Sequence, residues 1–213
     1  MKKRISMIMA ICLLFSLAAC GVDGGTNSNT EPSATQSQTE TPPSEPAAEP
    51  TEEAAKMLVV YFSATGNTKA VAGEIARLTG ADLYEIVPAV PYTDEDLNYN
   101  NNDCRANQEM NDASARPAIG SRAIDVSSYD IVFIGYPIWW GTMPRIINTF
   151  LDTYELSGKT VLPFCTSGSS GIAQSVSDIR AAEPAADVRG GLRASGANDS
   201  SIESWIADNG ISE

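Results

Sequence analysis

From residue 57 onward the chain alternates short apolar runs with segments of helical periodicity, five times over. The first run, Met57-Leu58-Val59-Val60-Tyr61-Phe62, is unbroken. That pattern fits a strand covered on both faces rather than one with a wet side. In residues 68–78, Val71, Ala72, Ile75, Ala76 and Leu78 fall on one helical stripe, and Gly80 ends it. Further strands are expected over 83–87, 131–136, 160–165 and, more weakly, 186–192. Further helices are expected over 145–154, 172–182 and 200–208, the middle one stopped by Glu183-Pro184. Such alternation implies an α/β fold, a doubly wound five-stranded parallel sheet with helices on both faces. Ligands in these sheets bind outside the carboxyl ends of the strands, where the strand order reverses. The loops after the first, third and fourth expected strands are therefore the ones that bear on function.

The loop after the first strand is Ser63-Ala64-Thr65-Gly66-Asn67-Thr68, and it opens directly into a helix. Gly66 permits a tight turn, and successive backbone N–H groups at a helix start attract an anion. The loop lacks the Gly-Lys-Ser/Thr ending of the nucleotide-binding P-loop and is not a GxGxxG turn. Ser and Thr at these positions fit a phosphate cradle and also fit simple helix capping. The loop after the third strand is Tyr136-Pro137-Ile138-Trp139-Trp140-Gly141-Thr142-Met143-Pro144. Two adjacent indoles there are costly if both face water. The expectation is one in the core and one forming a wall for a planar ligand, with Trp140, next to Gly141, as the wall. After the fourth strand, Thr166-Ser167-Gly168-Ser169-Ser170-Gly171 has no bulky side chain, so its backbone can approach a flat ring edge, or it can serve as a plain flexible connection.

The N-terminal part is of another kind. Lys2, Lys3 and Arg4 precede an apolar run over 5–19 that is too short for a bilayer span of about twenty residues. A basic start before a short apolar run reads as an export signal. Its end, Leu17-Ala18-Ala19-Cys20, resembles a bacterial lipobox. That resemblance implies cleavage after residue 19, a lipid on Cys20, and an extracytoplasmic, membrane-anchored protein. An ordinary cleavable signal is the plainer alternative. Residues 20–56 hold no aromatic residue, Leu or Ile, and are rich in Thr, Ser, Pro, Glu and Ala. Such a segment cannot bury enough apolar surface to offset its ordering entropy, so a tether spanning roughly 30–40 Å is expected. The division is therefore 1–19 signal, 20–56 tether and 57–213 globular domain. Cys12 leaves with the signal, so Cys104 and Cys165 remain, as a pair or as two free thiols.

Composition removes several classes of function. With 14 basic and 27 acidic residues the formal charge is −13, which disfavours nucleic-acid binding through phosphate contacts. Histidine is absent, which removes Ser-His-Asp and Cys-His catalysis and His-ligated metals. The thiols left in a mature chain are too few for an all-Cys zinc site.

Together the segments 61–68, 135–141 and 163–168 resemble the flavodoxin-like FMN-binding proteins, most nearly the bacterial group named simply flavodoxin. The resemblance covers nearly all of 57–213. It implies strand order 2-1-3-4-5 and FMN as cofactor. Ser63, Thr65, Gly66, Asn67 and Thr68 would hold the phosphate. Pro137, Ile138, Trp139, Trp140 and Gly141 would form the loop over the isoalloxazine ring, with Trp140 stacking on it. Thr166, Ser167, Gly168 and Gly171 would line the pyrimidine edge. It also implies an oxidoreductase role in electron transfer with an unidentified redox partner or small-molecule acceptor. The flavin would supply the electron or hydride chemistry, and no side chain need act as nucleophile or general acid. An acidic setting and a stacked ring would make the cofactor a low-potential carrier. An NAD(P)H- or quinone-type reductase and a non-redox FMN- or surface-binding module are the alternatives. Residues 88–119 depart from typical flavodoxins, and either pack as a surface excursion or shape a pocket near the ring.

Overall fold

The computed structural model describes residues 55–211. The expected signal, Cys20 and nearly all of the tether lie outside them. The strands are β1 (Met57–Tyr61), β2 (Asp82–Glu85), β3 (Ile131–Pro137), β4 (Thr160–Thr166), β5 (Asp187–Val188) and β6 (Leu192–Ala194). The helices are α1 (Asn67–Thr79), α2 (Arg105–Asn111), α3 (Arg145–Thr153), α4 (Ala173–Ala182) and α5 (Ser201–Asp208). All strand pairs are parallel, in the order β2-β1-β3-β4-β5, with β6 beside β4 further along the same edge. This is the doubly wound order 2-1-3-4-5.

The strands sort their side chains strictly by parity, as a pleated sheet requires. Leu58, Val60 and Phe62 lie in one core with Val132, Ile134 and Tyr136. Ile146, Ile147 and Phe150 of α3 and Val176 and Ile179 of α4 close that layer. Val59, Tyr61, Phe133, Leu162 and Phe164 lie in the opposite core, closed by Val71 and Ile75 of α1 and Ile202 and Ile206 of α5. Each fully buried aliphatic or aromatic side chain contributes about 1.5–3 kcal/mol, so the two-sided burial of β1, β3 and β4 fixes their register. Helix α1 ends where Gly80 adopts φ 67, a left-handed stop that needs no Cβ.

Three features differ from the sequence reading. Strand β2 ends at Glu85 rather than residue 87: the Ile86 N–H still donates to the Tyr61 carbonyl at 2.7 Å, and Val87 pairs on its outer side with residues 120–121, its N–H donating to the Ser121 hydroxyl at 2.7 Å and its carbonyl accepting from the Gly120 N–H at 2.7 Å. The fifth strand is split into β5 and β6. Pro163 of β4 has no N–H, and its carbonyl faces Gly191 in the gap between them. In a parallel strand a residue's N–H and C=O point to the same side, so the missing donor coincides with the break. Finally, residues 88–119 are closed at their base by an antiparallel bridge between Pro88 and Ile119 and contain helix α2. That helix has seven residues and buries only Ala106 and Met110, too little for a periodic signal.

Candidate functional site

Register brings the three loops together. Tyr61 at the end of β1 pairs with Gly135, while Pro137 at the end of β3 pairs with Thr166 at the end of β4. The chain leaves β1 toward β2 on one side and reaches β3 on the other, so the reversal of strand order falls between β1 and β3. The loops holding the expected site residues all leave this carboxyl edge.

The loop after β1 has the construction of an anion cradle. Gly66 takes φ 86 just before α1, and no side chain caps the helix start. The first turn of α1 carries no acidic residue, so its amide dipoles are not offset. Thr65 and Asn67 are exposed and bonded to each other, Nδ2 to Oγ1, at 3.1 Å. A Cβ on Gly66 would meet no atom within 4 Å, so the loop faces open space. The Ser63 Oγ is buried and, among the described residues, has no hydrogen-bond partner. A buried hydroxyl without a partner costs about 1–3 kcal/mol, and a ligand oxygen would recover that. The nearby Lys69 is held by Glu85 at 2.9 Å, which leaves amides and hydroxyls as the donors this loop could offer an anion.

The loop after β3 is a two-residue hairpin. The Trp139 N–H donates to the Thr142 carbonyl at 2.9 Å, and the Thr142 N–H donates back at 3.1 Å. Between them Trp140 takes φ 47 and Gly141 φ 85. Two successive left-handed residues define a type I′ turn, normally an Asn-Gly position. A Trp there is strained, and such strain collects at functional sites. The turn is fixed from α4, where Asp178 accepts from the Thr142 hydroxyl. The two indoles diverge. Trp139 is buried edge-on to Phe62 and Tyr92, so it meets the edge only through its backbone. Trp140 is 44% exposed. Pro137 and Ile138 are half-buried, and the Ile138 N–H ties the loop to the Thr166 carbonyl at 3.1 Å.

In the loop after β4, Thr166 and Ser167 are half-buried, while Gly168 and Gly171 are exposed with open space where a Cβ would stand. The Thr166 hydroxyl meets the buried Thr68 hydroxyl of α1 at 2.8 Å, locking this loop to the anion cradle. One guanidinium nitrogen of Arg193 donates to the Ser167 and Gly168 carbonyls, both at 3.0 Å. Arg193 comes from β6 and has no place in the sequence reading. Its signal was the period-two pattern Leu192 in, Arg193 out, Ala194 in after Gly190-Gly191. Burial pushes the Cys165 thiol up to about 12, and Cys104 is likewise buried; both are free thiols. A pair between them is excluded.

The excursion over 88–119 packs on the core, and one part of it also reaches the carboxyl edge. Tyr92 packs on Phe62 and Trp139, the Arg105 guanidinium lies 4.0 Å over its ring, and Arg105 pairs with Glu109 at 2.7 Å. Burial, then the neighbouring Glu109, holds the Tyr92 phenol far above its ordinary pKa. The same excursion carries Tyr99 to the carboxyl edge, where its ring sits 5.2 Å from that of Trp140. By contrast, a hollow of about 470 Å³ lined by Asp152, Tyr154, Glu155 and Glu183 lies before β4 and β5, at the opposite end of the sheet.

The sequence profile of the family described as Flavodoxin matches residues 56–209. Among solved structures, a candidate flavoprotein from Bacteroides eggerthii is 45% identical, covers 74% of this chain and 99% of its own, and superposes with a TM-score of 0.69. One from Bacteroides uniformis is 40% identical over 73% of this chain and 99% of its own, with a TM-score of 0.70. A flavoprotein from Lactobacillus acidophilus, solved in complex with FMN, is 29% identical over 71% of this chain and 99% of its own, with a TM-score of 0.59. Among curated proteins none matches.

Proposed function

The chain belongs to the flavodoxin family, and on that premise we propose that it binds FMN at the carboxyl edge of the sheet and works in electron transfer. The observation that carries the reading is the buried, unpartnered Ser63 Oγ in a loop that opens into a helix start with no side-chain cap and no acidic side chain in its first turn. A phosphate monoester supplies the acceptor oxygens such a loop needs. Ser63, Thr65, Gly66, Asn67 and Thr68 would hold it. The exposed indole of Trp140, carried on the turn with Pro137, Ile138, Trp139 and Gly141, offers a face for a flat ring. Thr166, Ser167, Gly168 and Gly171 offer backbone polar groups to a ring edge, and Arg193 stiffens them. The complex of the Lactobacillus flavoprotein with FMN supports the choice of cofactor.

FMN supplies electron or hydride transfer when bound, and the protein orients the ring and sets its surroundings. The formal charge of −13 opposes a further negative charge on a reduced ring, which favours a low-potential carrier. The test is to equilibrate the full chain with FMN, remove the excess and record the visible spectrum. Retained flavin bands with quenched fluorescence are expected, and Ser63→Ala should weaken retention. A midpoint potential above that of free FMN would remove the low-potential part. No retention at micromolar FMN would remove the whole reading.

The site would operate outside the cytoplasm on a lipid anchor at Cys20. The basic start, short apolar run and Leu17-Ala18-Ala19-Cys20 sequence support this. Labelled palmitate should enter the wild-type chain in cells and fail to enter Cys20→Ala; equal labelling would overturn it.

A further inference from the structure

We propose that Tyr99 is a positioning residue for the flavin site, holding Trp140 in the orientation in which its indole serves as the ring's wall. The inference rests on the FMN reading above and assigns a function to the excursion over 88–119.

Tyr99 and Trp140 are 62% and 44% exposed, yet their rings meet at 5.2 Å and 61°. Neither belongs to either hydrophobic core. Burial therefore does not explain why two large aromatic side chains, one from each loop, are held together at this edge. An edge-to-face contact fixes the direction of a ring, and direction is what a stacking wall needs.

The support behind Tyr99 is firm. The Asn100 N–H donates to the Asn98 side chain at 3.1 Å, the Asn101 N–H to the Asn98 carbonyl at 2.9 Å, and the Cys104 N–H to the Asn101 carbonyl at 3.1 Å. Tyr92 and Leu97 before it pack on the core, and Cys104, Ala106 and Met110 after it lie within the core. The turn holds the Trp140 backbone, but its indole is 44% exposed and lies outside both cores. Its backbone is strained at φ 47, and its neighbour Gly141 has no side chain to brace it. Tyr99 supplies that brace. Binding to a wall already oriented avoids the cost of ordering it at the moment of binding.

The test titrates FMN into the full-length wild type, Tyr99→Ala and Tyr99→Phe, reading Kd, fluorescence quenching of bound flavin and the melting temperature without FMN. The expected result for Tyr99→Ala is a Kd raised about two- to ten-fold with partial loss of quenching. Tyr99→Phe should restore both, since the ring and not the hydroxyl makes the contact. Melting without FMN should fall by no more than about 3 °C, the loss of one exposed ring contact, because Tyr99 is exposed and outside both cores. If the wild type retains FMN and Tyr99→Ala matches it in Kd and quenching, the positioning role is wrong and the FMN reading stands. A larger fall in melting temperature that accounts for the weaker binding would make Tyr99 merely structural and also overturns the role. Failure of the wild type to retain FMN removes both.

Discussion

The hydroxyls of Thr68 and Thr166 lie 2.8 Å apart and join the first turn of α1 to the last residue of β4. Thr68 is 1% exposed, so its hydroxyl has no ready replacement partner in water. Replacing either residue by Val leaves the other hydroxyl unpaired and should cost about 1–3 kcal/mol. Replacing both should cost less than the sum of the two, because no orphan remains. Urea unfolding of the two single variants and the double variant measures this coupling. Additive losses would mean that the pair does not lock the two loops.

Gly135 is required by packing rather than by backbone conformation. A Cβ there would stand 2.1 Å from the Phe164 ring, which covers the position from the neighbouring strand. Gly135→Ala should destabilise by about 1–3 kcal/mol or block folding. Adding Phe164→Leu should recover part of the loss, although Phe164→Leu alone is destabilising. A double variant no better than Gly135→Ala in a melting experiment would point to another cause.

On the FMN reading proposed above, the strained turn at Trp140-Gly141 gives up stability to present an indole face. Asn is at ease with a left-handed φ at the first central position of a type I′ turn, and Trp is not. Trp140→Asn should therefore leave the FMN-free protein equally stable or more stable by about 0.5 kcal/mol. The same change should weaken FMN binding about ten-fold, through loss of the indole face. Gly141→Ala, at φ 85, should do the opposite to stability and lower it by about 1 kcal/mol. Paired melting and FMN titrations of the two variants check both directions.

How much of this was legible in the sequence follows from how each residue is covered. The β1, β3 and β4 runs were readable because both their faces are buried, leaving unbroken apolar stretches. The loops at their ends were readable from Gly66 and from Trp139-Trp140, whose rings the structure separates into one buried and one exposed. The ends of β2 and the break between β5 and β6 were not, because Ser121 and Pro163 act across long sequence separations. Arg193 and Tyr99 reach the site from elements whose local pattern is polar or weak, so only tertiary placement reveals them. Ser63 was named in the sequence, but its lack of a partner is visible only in three dimensions.

Alkaline pH should unfold this protein in a defined window. Burial raises the Cys165 thiol from an ordinary 9.0 to about 12. Burial, with Glu85 next, raises the Tyr61 phenol from 10.0 to about 12, and burial raises the Tyr84 phenol to about 12. Above pH 9 the unfolded chain releases these protons while the folded chain keeps them, so the unfolded state gains. Stability is fully present below pH 9 and is lost as pH rises toward 12. No step is expected between pH 6 and 8, because the chain has no histidine. Urea midpoints taken from pH 6 to 11 should be level at first and then fall. Cys165→Ala should delay the start of that fall toward pH 10, where the tyrosines take over. Thiol reagents should modify Cys104 and Cys165 only in urea, since both are buried in the folded protein. Rapid modification at pH 7 without urea would show that the carboxyl edge opens far more readily than its packing implies.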